Sequence, residues 1–365
     1  MKIDKEEVKF NKNIKEYLNP DYIYIPYPNN SKLNVKSNEL VDKNSIILIN
    51  NDNFIYSPVS GKVLGMCENL VNNKKMNTIV IENDFKETTK NNITKNINNY
   101  TSEEFKELVN KYLNIKINKS KYLVINGIDY EPYEMNYTYL IKEESEKILE
   151  CIDSIINILK LDSAYLSIKN NDEESSLILV NQIGMYPNIN LKLLDDVYPI
   201  GYYKLLINEL NLDLNDCLYL TIEDVYNIYY ILRKNSPIND KIITISGNLI
   251  NKSKVIKVKM GTLLSDIINE EFKIISDDYH IIVNGLLSGK EIPNLKLVIN
   301  KDIRSIFINK ALNDKENKCI NCGLCHINCP FNCDPLNNIN MNKCIKCGLC
   351  NYICPSKIKL VGDKS

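Results

Sequence analysis

Residues 319–330 read CINCGLCHINCP and residues 344–355 read CIKCGLCNYICP, so the spacing C-x2-C-x2-C-x3-C-P occurs twice in close succession. Three thiolates two residues apart wrap one face of an iron–sulfur cubane, because the turns between them aim successive sulfurs inward. Gly323 and Gly348 permit the close backbone approach this needs. The fourth cysteine of each run, held away by three residues and a proline, reaches the other cluster when two are bound. The spacing therefore predicts two 4Fe–4S clusters, one on Cys319, Cys322, Cys325 and Cys354 and the other on Cys344, Cys347, Cys350 and Cys329. Structural zinc is the competing reading, but it uses paired C-x2-C knuckles separated by longer gaps. Cys333 could stand in for Cys329 in an altered cluster, yet no proline follows it, and it reads as a bystander; His326 reads as a solvated side chain.

Upstream of the doublet the composition narrows the choices. The chain has 365 residues, enough for several domains. Lys and Arg total 45 against 46 Asp and Glu, which gives no broad basic field for nucleic acid or anionic lipid. Of the 12 cysteines, the remaining Cys67, Cys151, Cys217 and Cys333 form no disulfide framework, and this usage suits metal binding in a reducing compartment. The start, MKIDKEEVKF, lacks a basic-then-apolar leader, and no apolar run is long enough to cross a bilayer. The expectation is a cytoplasmic protein, with peripheral attachment to a membrane complex left open. Alanine occurs only at Ala164 and Ala311 and arginine only at Arg233 and Arg304, a bias expected of an AT-rich genome.

From Tyr22 to Asp84, short apolar stretches (YIYIP, SIILI, NFIYSPVSGKVLGM, NTIVIE) alternate with polar turns and predict a small all-β domain. TSEEFKELVNKYL reads as a helix with a capping box at Thr101 or Ser102 and Glu104. KYLVING, AYLSIKN, INLKLLD and CLYLTI then alternate with helical periodicity, most clearly at Ile141, Ile148, Leu149, Ile152, Ile155, Ile156 and Leu159, and predict a parallel α/β layer. KIITISG, SKVIKVKMG, YHIIVNG and LKLVIN surround one helical piece, TLLSDIINE, as in a small α+β domain.

Several of these segments together resemble the C subunit of the Rnf electron transport complex and its soluble relatives, among them the corrin reductase of propanediol microcompartments and the electron-transfer protein associated with proline reductase. IYIPYPNNSKLNVKSNELVDKNSIILINNDNFIYSPVSGKVLGM is similar to that family's barrel-sandwich segment, VINGIDYEPYEMN to its Asn-Gly-Ala-Glu-Cys-Glu-Pro-Tyr, and VYPIGYYKLLI to its Tyr-Pro-x-Gly segment. ITISGNLI followed by VKMGTLLSDII resembles the opening of its soluble-ligand-binding β-grasp (SLBB) domain. The resemblance implies a multidomain α/β chain: a barrel-sandwich-like β domain over 1–85, a helical boundary segment over 86–120, and a degenerate Rossmann-like FMN/NADH-type α/β domain over 121–236. An SLBB-like β-grasp domain over 237–312 and a two-cluster ferredoxin-type domain over 313–365 complete it. It also implies redox-protein partners, in a membrane-associated electron transport complex or a soluble reductase of anaerobic metabolism.

The departures from the family bear on the flavin. A glycine-rich loop that cradles flavin phosphate precedes the Asn-Gly-Ala-Glu segment in the family, through backbone N–H groups crowded onto the anion. This chain has no glycine between Gly65 and Gly127. The family's Glu-Asp-Asn-Lys reads Lys169, Asn170, Asn171, Asp172; a glutamate is replaced by Tyr203; and Gly-Gly-Pro-Met reads Asn284, Gly285, Leu286, Leu287. Asn126, Gly127, Asp129 and Glu131 are then either the remnant of a flavin site or a strand-end turn kept for packing. The expected function is electron transfer through two 4Fe–4S clusters with FMN and NADH binding lost. Two alternatives stand beside it. One is an NADH-oxidising flavoprotein with a rebuilt FMN site, although no Gly-x-Gly-x-x-Gly follows any predicted strand. The other is an assembly or sensing module stapled by its clusters. Lipoyl-type barrel-sandwich domains carry a cofactor on a turn lysine, but Lys62 follows Ser60-Gly61 inside a predicted strand and Lys43 aligns with a turn of the resembled family rather than a lipoylated hairpin, so both read as unmodified surface residues.

Overall fold

The computed structural model describes residues 14–50, 53–89, 92–310 and 317–361. The opening MKIDKEEVKF, read for a leader, lies outside the described residues. Eight strands come first: β1 (Lys15–Tyr17), β2 (Tyr22–Pro26), β3 (Lys32–Leu33), β4 (Leu40–Val41), β5 (Ile46–Asn50), β6 (Asn53–Tyr56), β7 (Gly61–Val71) and β8 (Lys74–Asn83). Strands β2-β8-β7-β4 form one sheet and β3-β5-β6 another. The alternation in YIYIP buries Ile23 and Ile25, which pack with Ile47, Leu48, Val63, Ile79 and Ile81 between the sheets. The β7–β8 turn places Asn72 and Asn73 at φ 47° and 68°, the left-handed pair that matches strand twist in a two-residue hairpin.

Helix α1 (Ser102–Leu113) begins at the expected capping box, with Thr101 and Glu104 exchanging side-chain and backbone hydrogen bonds. The α/β layer follows: β9 (Tyr122–Asn126), α2 (Asn136–Leu159), β10 (Ser163–Lys169), α3 (Glu173–Ile183), β11 (Ile189–Leu194), α4 (Tyr203–Glu209), β12 (Cys217–Thr221) and α5 (Ile222–Lys234). Its four strands are parallel in the order β11-β10-β9-β12. The periodic apolar face of α2 packs with Phe105, Leu123, Ile125, Leu166 and Val225 in the largest core. The chain leaves β9 for β10 on one side and returns to β12 on the other. The carboxyl end of β9 is therefore a topological switch point, where open α/β sheets form a crevice.

A third region holds β13 (Asp240–Ser246), β14 (Lys254–Lys259), α6 (Leu264–Glu271), β15 (His280–Val283), β16 (Lys290–Ile292) and β17 (Ser305–Asn309), in a sheet ordered β1-β14-β13-β17-β15-β16. Two features depart from the sequence reading. Strand β1 pairs in parallel with β14 and so lies apart from the sheets formed by the residues that follow it. LKLVIN forms no ladder; Leu297 and Val298 make single bridges to Leu70 and Leu263, and SIFIN at β17 supplies the central strand. Leu297, Val298 and Ile299 are fully buried, so the apolarity read as a strand serves to join the end of β7 to this region. The cysteine doublet contributes two short helices, α7 (Leu324–Ile327) and α8 (Leu349–Ile353).

Candidate metal centre and the sheet edge beside it

Each half of the doublet makes the same local structure. Gly323 and Gly348 take left-handed φ of 73° and 74° and start α7 and α8. Ahead of each, a backbone N–H points at the first sulfur of its run: Asn321 N to Cys319 Sγ and Lys346 N to Cys344 Sγ, both at 3.4 Å. Two cavities result. One, with about 320 Å³ of empty space open solvent included, is walled by Cys319, Cys322, Cys325 and Cys354 among Ile320, Leu336 and Ile358. The other, about 410 Å³ counted the same way, is walled by Cys329, Cys344, Cys347 and Cys350, with Cys325 and Cys333 also on its wall.

Cys319 and Cys322 are exposed, whereas Cys344, Cys347 and Cys350 are half-buried. Burial pushes the Cys347 thiol up to about 11 and the Cys350 thiol up to about 12. Such thiols stay protonated near neutral pH until a metal displaces the proton. Cys333, read as a bystander, is buried; its Sγ lies 3.3 Å from the Asn340 carbonyl, and burial and then Cys329 raise it to about 11. His326 is on neither wall and meets the Cys333 carbonyl through Nδ1 at 3.3 Å. Among the described residues no group of three or more His, Cys, Asp or Glu converges on a single-ion site. Soft thiol donors spread around an apolar space suit a multi-iron sulfide cluster.

The carboxyl end of β9 has a different character. Asn126 Nδ2 donates to the carbonyls of Ile128 (3.1 Å) and Gly201 (3.0 Å), and its Oδ1 accepts from Ile128 N (2.9 Å). A Cβ on Gly127 would fall 2.9 Å from the Ser167 carbonyl oxygen. Asp129 takes up the start of α2, accepting from Tyr137 N (2.8 Å), Thr138 N (3.3 Å) and Thr138 Oγ1 (2.9 Å). Glu131 is 2% exposed and accepts from Tyr198 Oη (2.9 Å), Leu287 N (3.0 Å) and Ser288 Oγ (2.5 Å). Tyr198 Oη also lies 2.5 Å from the Cys347 carbonyl oxygen, so this network joins the sheet edge to the second cysteine wall. Two glycines allow the approach: a Cβ on Gly285 would meet Glu131 Cγ at 2.1 Å, and one on Gly348 would meet the Leu287 carbonyl oxygen at 1.8 Å. Nearby, Arg304 lies 5.1 Å above the Tyr130 ring and 3.6 Å from Glu134.

The positions that replaced the family's acidic segment are self-contained as well. Asn170 donates to Asp195 (2.6 Å), Lys169 pairs with Asp196 (3.3 Å), and Asp172 caps α3. Tyr203 opens α4 and meets the Tyr219 ring edge-on at 5.1 Å. The crevice left between Asp129, Glu131, Lys169 and Tyr198 holds about 330 Å³, open solvent included. At α1, the helix before β9, Glu103 and Glu104 fill the first turn and the capping box takes the N-cap, an arrangement hostile to a phosphate. Ser167 Oγ is buried without a partner, and it lies off the crevice wall. Sequence reasoning found Glu131 but missed Tyr198 and Ser288 as its partners; only the Tyr-Pro pair at 198–199 carried any signal.

Comparison with known proteins agrees with this layout. Residues 108–213, from within α1 to just past α4, match the family model described as the Nuo51 FMN-binding domain. The C subunit of the ion-translocating oxidoreductase complex of Haemophilus influenzae is 26% identical over 230 residues, 60% of this chain and 28% of that protein. Its counterpart in Buchnera aphidicola subsp. Acyrthosiphon pisum is 24% identical over 340 residues, 84% of this chain and 71% of the relative. The C subunit of the proton-translocating ferredoxin:NAD(+) oxidoreductase complex of Clostridium ljungdahlii is 26% identical over 224 residues, 58% of this chain and 49% of the relative. The chain thus spans well under half the length of the Haemophilus relative. Among solved structures, an NAD+-reducing [NiFe]-hydrogenase in the air-oxidised state aligns at 15% identity and a TM-score of 0.46, over 54% of this chain and 41% of that one. No helix among the described residues is long and apolar enough to cross a membrane. The chain resembles the C subunit of the ion-translocating oxidoreductase, or Rnf, complexes, the family to which its sequence motifs point.

Proposed function

We propose that the chain is an electron-transfer subunit that carries two 4Fe–4S clusters and has lost flavin and NADH binding. The observation that carries this reading is the sorting of the cysteines onto two walls, with Cys354 beside Cys319, Cys322 and Cys325, and Cys329 beside Cys344, Cys347 and Cys350. When bound, the clusters supply storage and passage of single electrons. The chain's own residues hold them: eight thiolates ligate, Gly323 and Gly348 bring the backbone close, and Asn321 N and Lys346 N each direct an N–H at a ligand sulfur. Leu349, buried, lines the wall of the second site, whereas Ile320 and Leu336 on the first are exposed.

Flavin loss is supported by the engagement of Asn126, Asp129 and Glu131 with protein groups and by the acidic first turn of α1. In this reading the chain relays electrons between redox proteins in anaerobic metabolism, from the cytoplasm or the cytoplasmic face of a membrane complex. Anaerobically purified full-length protein should contain about eight iron atoms per chain and little flavin. Stoichiometric FMN would sink the flavin half of the proposal, and about four iron atoms or fewer would sink the cluster half.

A second reading, an NADH-oxidising flavoprotein, is favoured by the match of residues 108–213 to an FMN-binding domain. Bleaching of a visible flavin band by NADH would establish it.

A further inference from the structure

We infer that Glu131 is a potential-setting residue: its buried negative charge biases an electron shared between the two cysteine sites toward the outer, Cys319-containing one. This rests on the two-cluster reading above.

The two cysteine walls face different surroundings. Cys319 and Cys322 are exposed, and Lys318 beside them is exposed as well. The wall containing Cys347 instead abuts protein, with Gly348 against Leu287 and the Cys347 carbonyl against Tyr198. Glu131 lies one hydroxyl away from that carbonyl, because Tyr198 Oη touches both.

Burial and the neighbouring Glu134 raise the Glu131 carboxyl, whereas Ser288 Oγ, Leu287 N and the Tyr198 hydroxyl, whose one proton Glu131 shares with the Cys347 carbonyl, favour the anionic carboxylate. No ion pair to Glu131 is found among the described residues, and the nearby Arg304 is paired with Glu134. The charge therefore stands uncompensated, and water does not screen it at 2% exposure. Reduction adds one negative charge to a cluster, and a fixed anion close by disfavours that step. With clusters bound, the penalty would fall on the inner site, whose Cys347 carbonyl is one hydroxyl from Glu131, and much less on the outer one. Solvent around Cys319 and Cys322 acts in the same direction by stabilising added charge there. With clusters bound at both sites, one electron from an external one-electron donor would reside on the outer site, and no proton would need to move.

An electron paramagnetic resonance redox titration of the full chain, reconstituted anaerobically with iron and sulfide, tests this. A soluble dysprosium chelate identifies the outer site by broadening its signal. In Glu131→Gln, which keeps the shape and loses the charge, the reduced-to-oxidised ratio of the inner site at fixed ambient potential should rise about tenfold, a shift of about 59 mV for one electron. The outer site should change by less than about threefold. Glu131→Asp, which restores the charge, should return the inner site to near its wild-type ratio. Equal shifts at both sites, or none, would overturn the inference and leave the two-cluster reading intact. If Glu131→Gln does not fold, the wild-type protein decides: after one electron the spin must sit on the dysprosium-sensitive site, and spin on the other overturns the assignment. Absence of a second cubane signal from wild-type protein overturns the two-cluster reading and this inference with it.

Discussion

At the carboxyl end of β9, Asn126, Asp129 and Glu131 spend their polar atoms on other parts of the protein. A short distance away the thiols of the doublet stand around open, largely apolar space, with only weak contacts to backbone N–H groups and asparagine side chains. Both regions come from stretches in which the family resemblance implies a cofactor; the doublet keeps its cysteine spacing, whereas segments around the sheet edge depart from the family's residues. An edge whose polar groups satisfy one another gains nothing from a ligand and must break hydrogen bonds to admit one. A wall of thiols gains its order from metal, because ligation supplies folding energy to a segment with little core of its own.

The sharpest way to break that contrast is to remove one thiol from each kind of place. Cys347→Ser should cut the iron of anaerobically purified protein to about half, from about eight atoms to about four. Cys151→Ser, which alters a thiol buried in the α/β core, should leave iron content unchanged by the same assay. Unchanged iron in the first variant would put the two regions in the same class.

The seam between the regions offers the next largest effect. Gly323→Ala and Gly348→Ala place a side chain at nearly the same left-handed φ, a cost of about 1–2 kcal/mol. Only the second drives its Cβ into the Leu287 carbonyl, whereas around Gly323 the nearest atom is Ile327 Cδ1 at 3.8 Å. Denaturant unfolding of the holoprotein should find Gly348→Ala less stable than Gly323→Ala by at least ~2 kcal/mol. Equal losses would mean that the doublet does not depend on its seat against residues 285–288.

A smaller effect sharpens the account of the sheet edge. Burial raises the Asp129 carboxyl from 3.8 to about 6, against the pull of Lys169 and the Tyr137 N–H. Between about pH 4 and 6 the folded chain holds a proton there that the unfolded chain has released. Stability should therefore fall as pH rises through this window, by on the order of 3 kcal/mol, and level off above it. Thermal unfolding followed across the window should show that decline in the wild type and lose it in Asp129→Asn. An increase with pH would mean that the hydrogen bonds at the start of α2 outweigh burial.

Legibility followed the range of the interactions. Strands β9, β10, β11 and β12 were readable because a buried parallel strand is a short apolar run between turns, and α2 because its apolar face repeats with the helical period. LKLVIN and SIFIN look alike by those criteria, and only the second entered a ladder. Which apolar run becomes a strand depends on the edge available to it, and that edge is made by residues far along the chain. The pairing of β1 with β14 had no local signal for the same reason.

The amino-acid sequence by itself determined what is local: the spacing that divides the cysteines into threes and ones, the capping box of α1, and the alternation of strand and helix between 121 and 236. These depend on residues within one turn or one strand of each other, where backbone geometry leaves few choices. Tertiary structure alone decided the company of Glu131. Tyr198, the adjacent Leu287 and Ser288, and the Cys347 carbonyl come from three separate segments. Nothing in the residues around position 131 specifies those partners; they meet because three packed regions converge there, with Gly285 and Gly348 clearing the space.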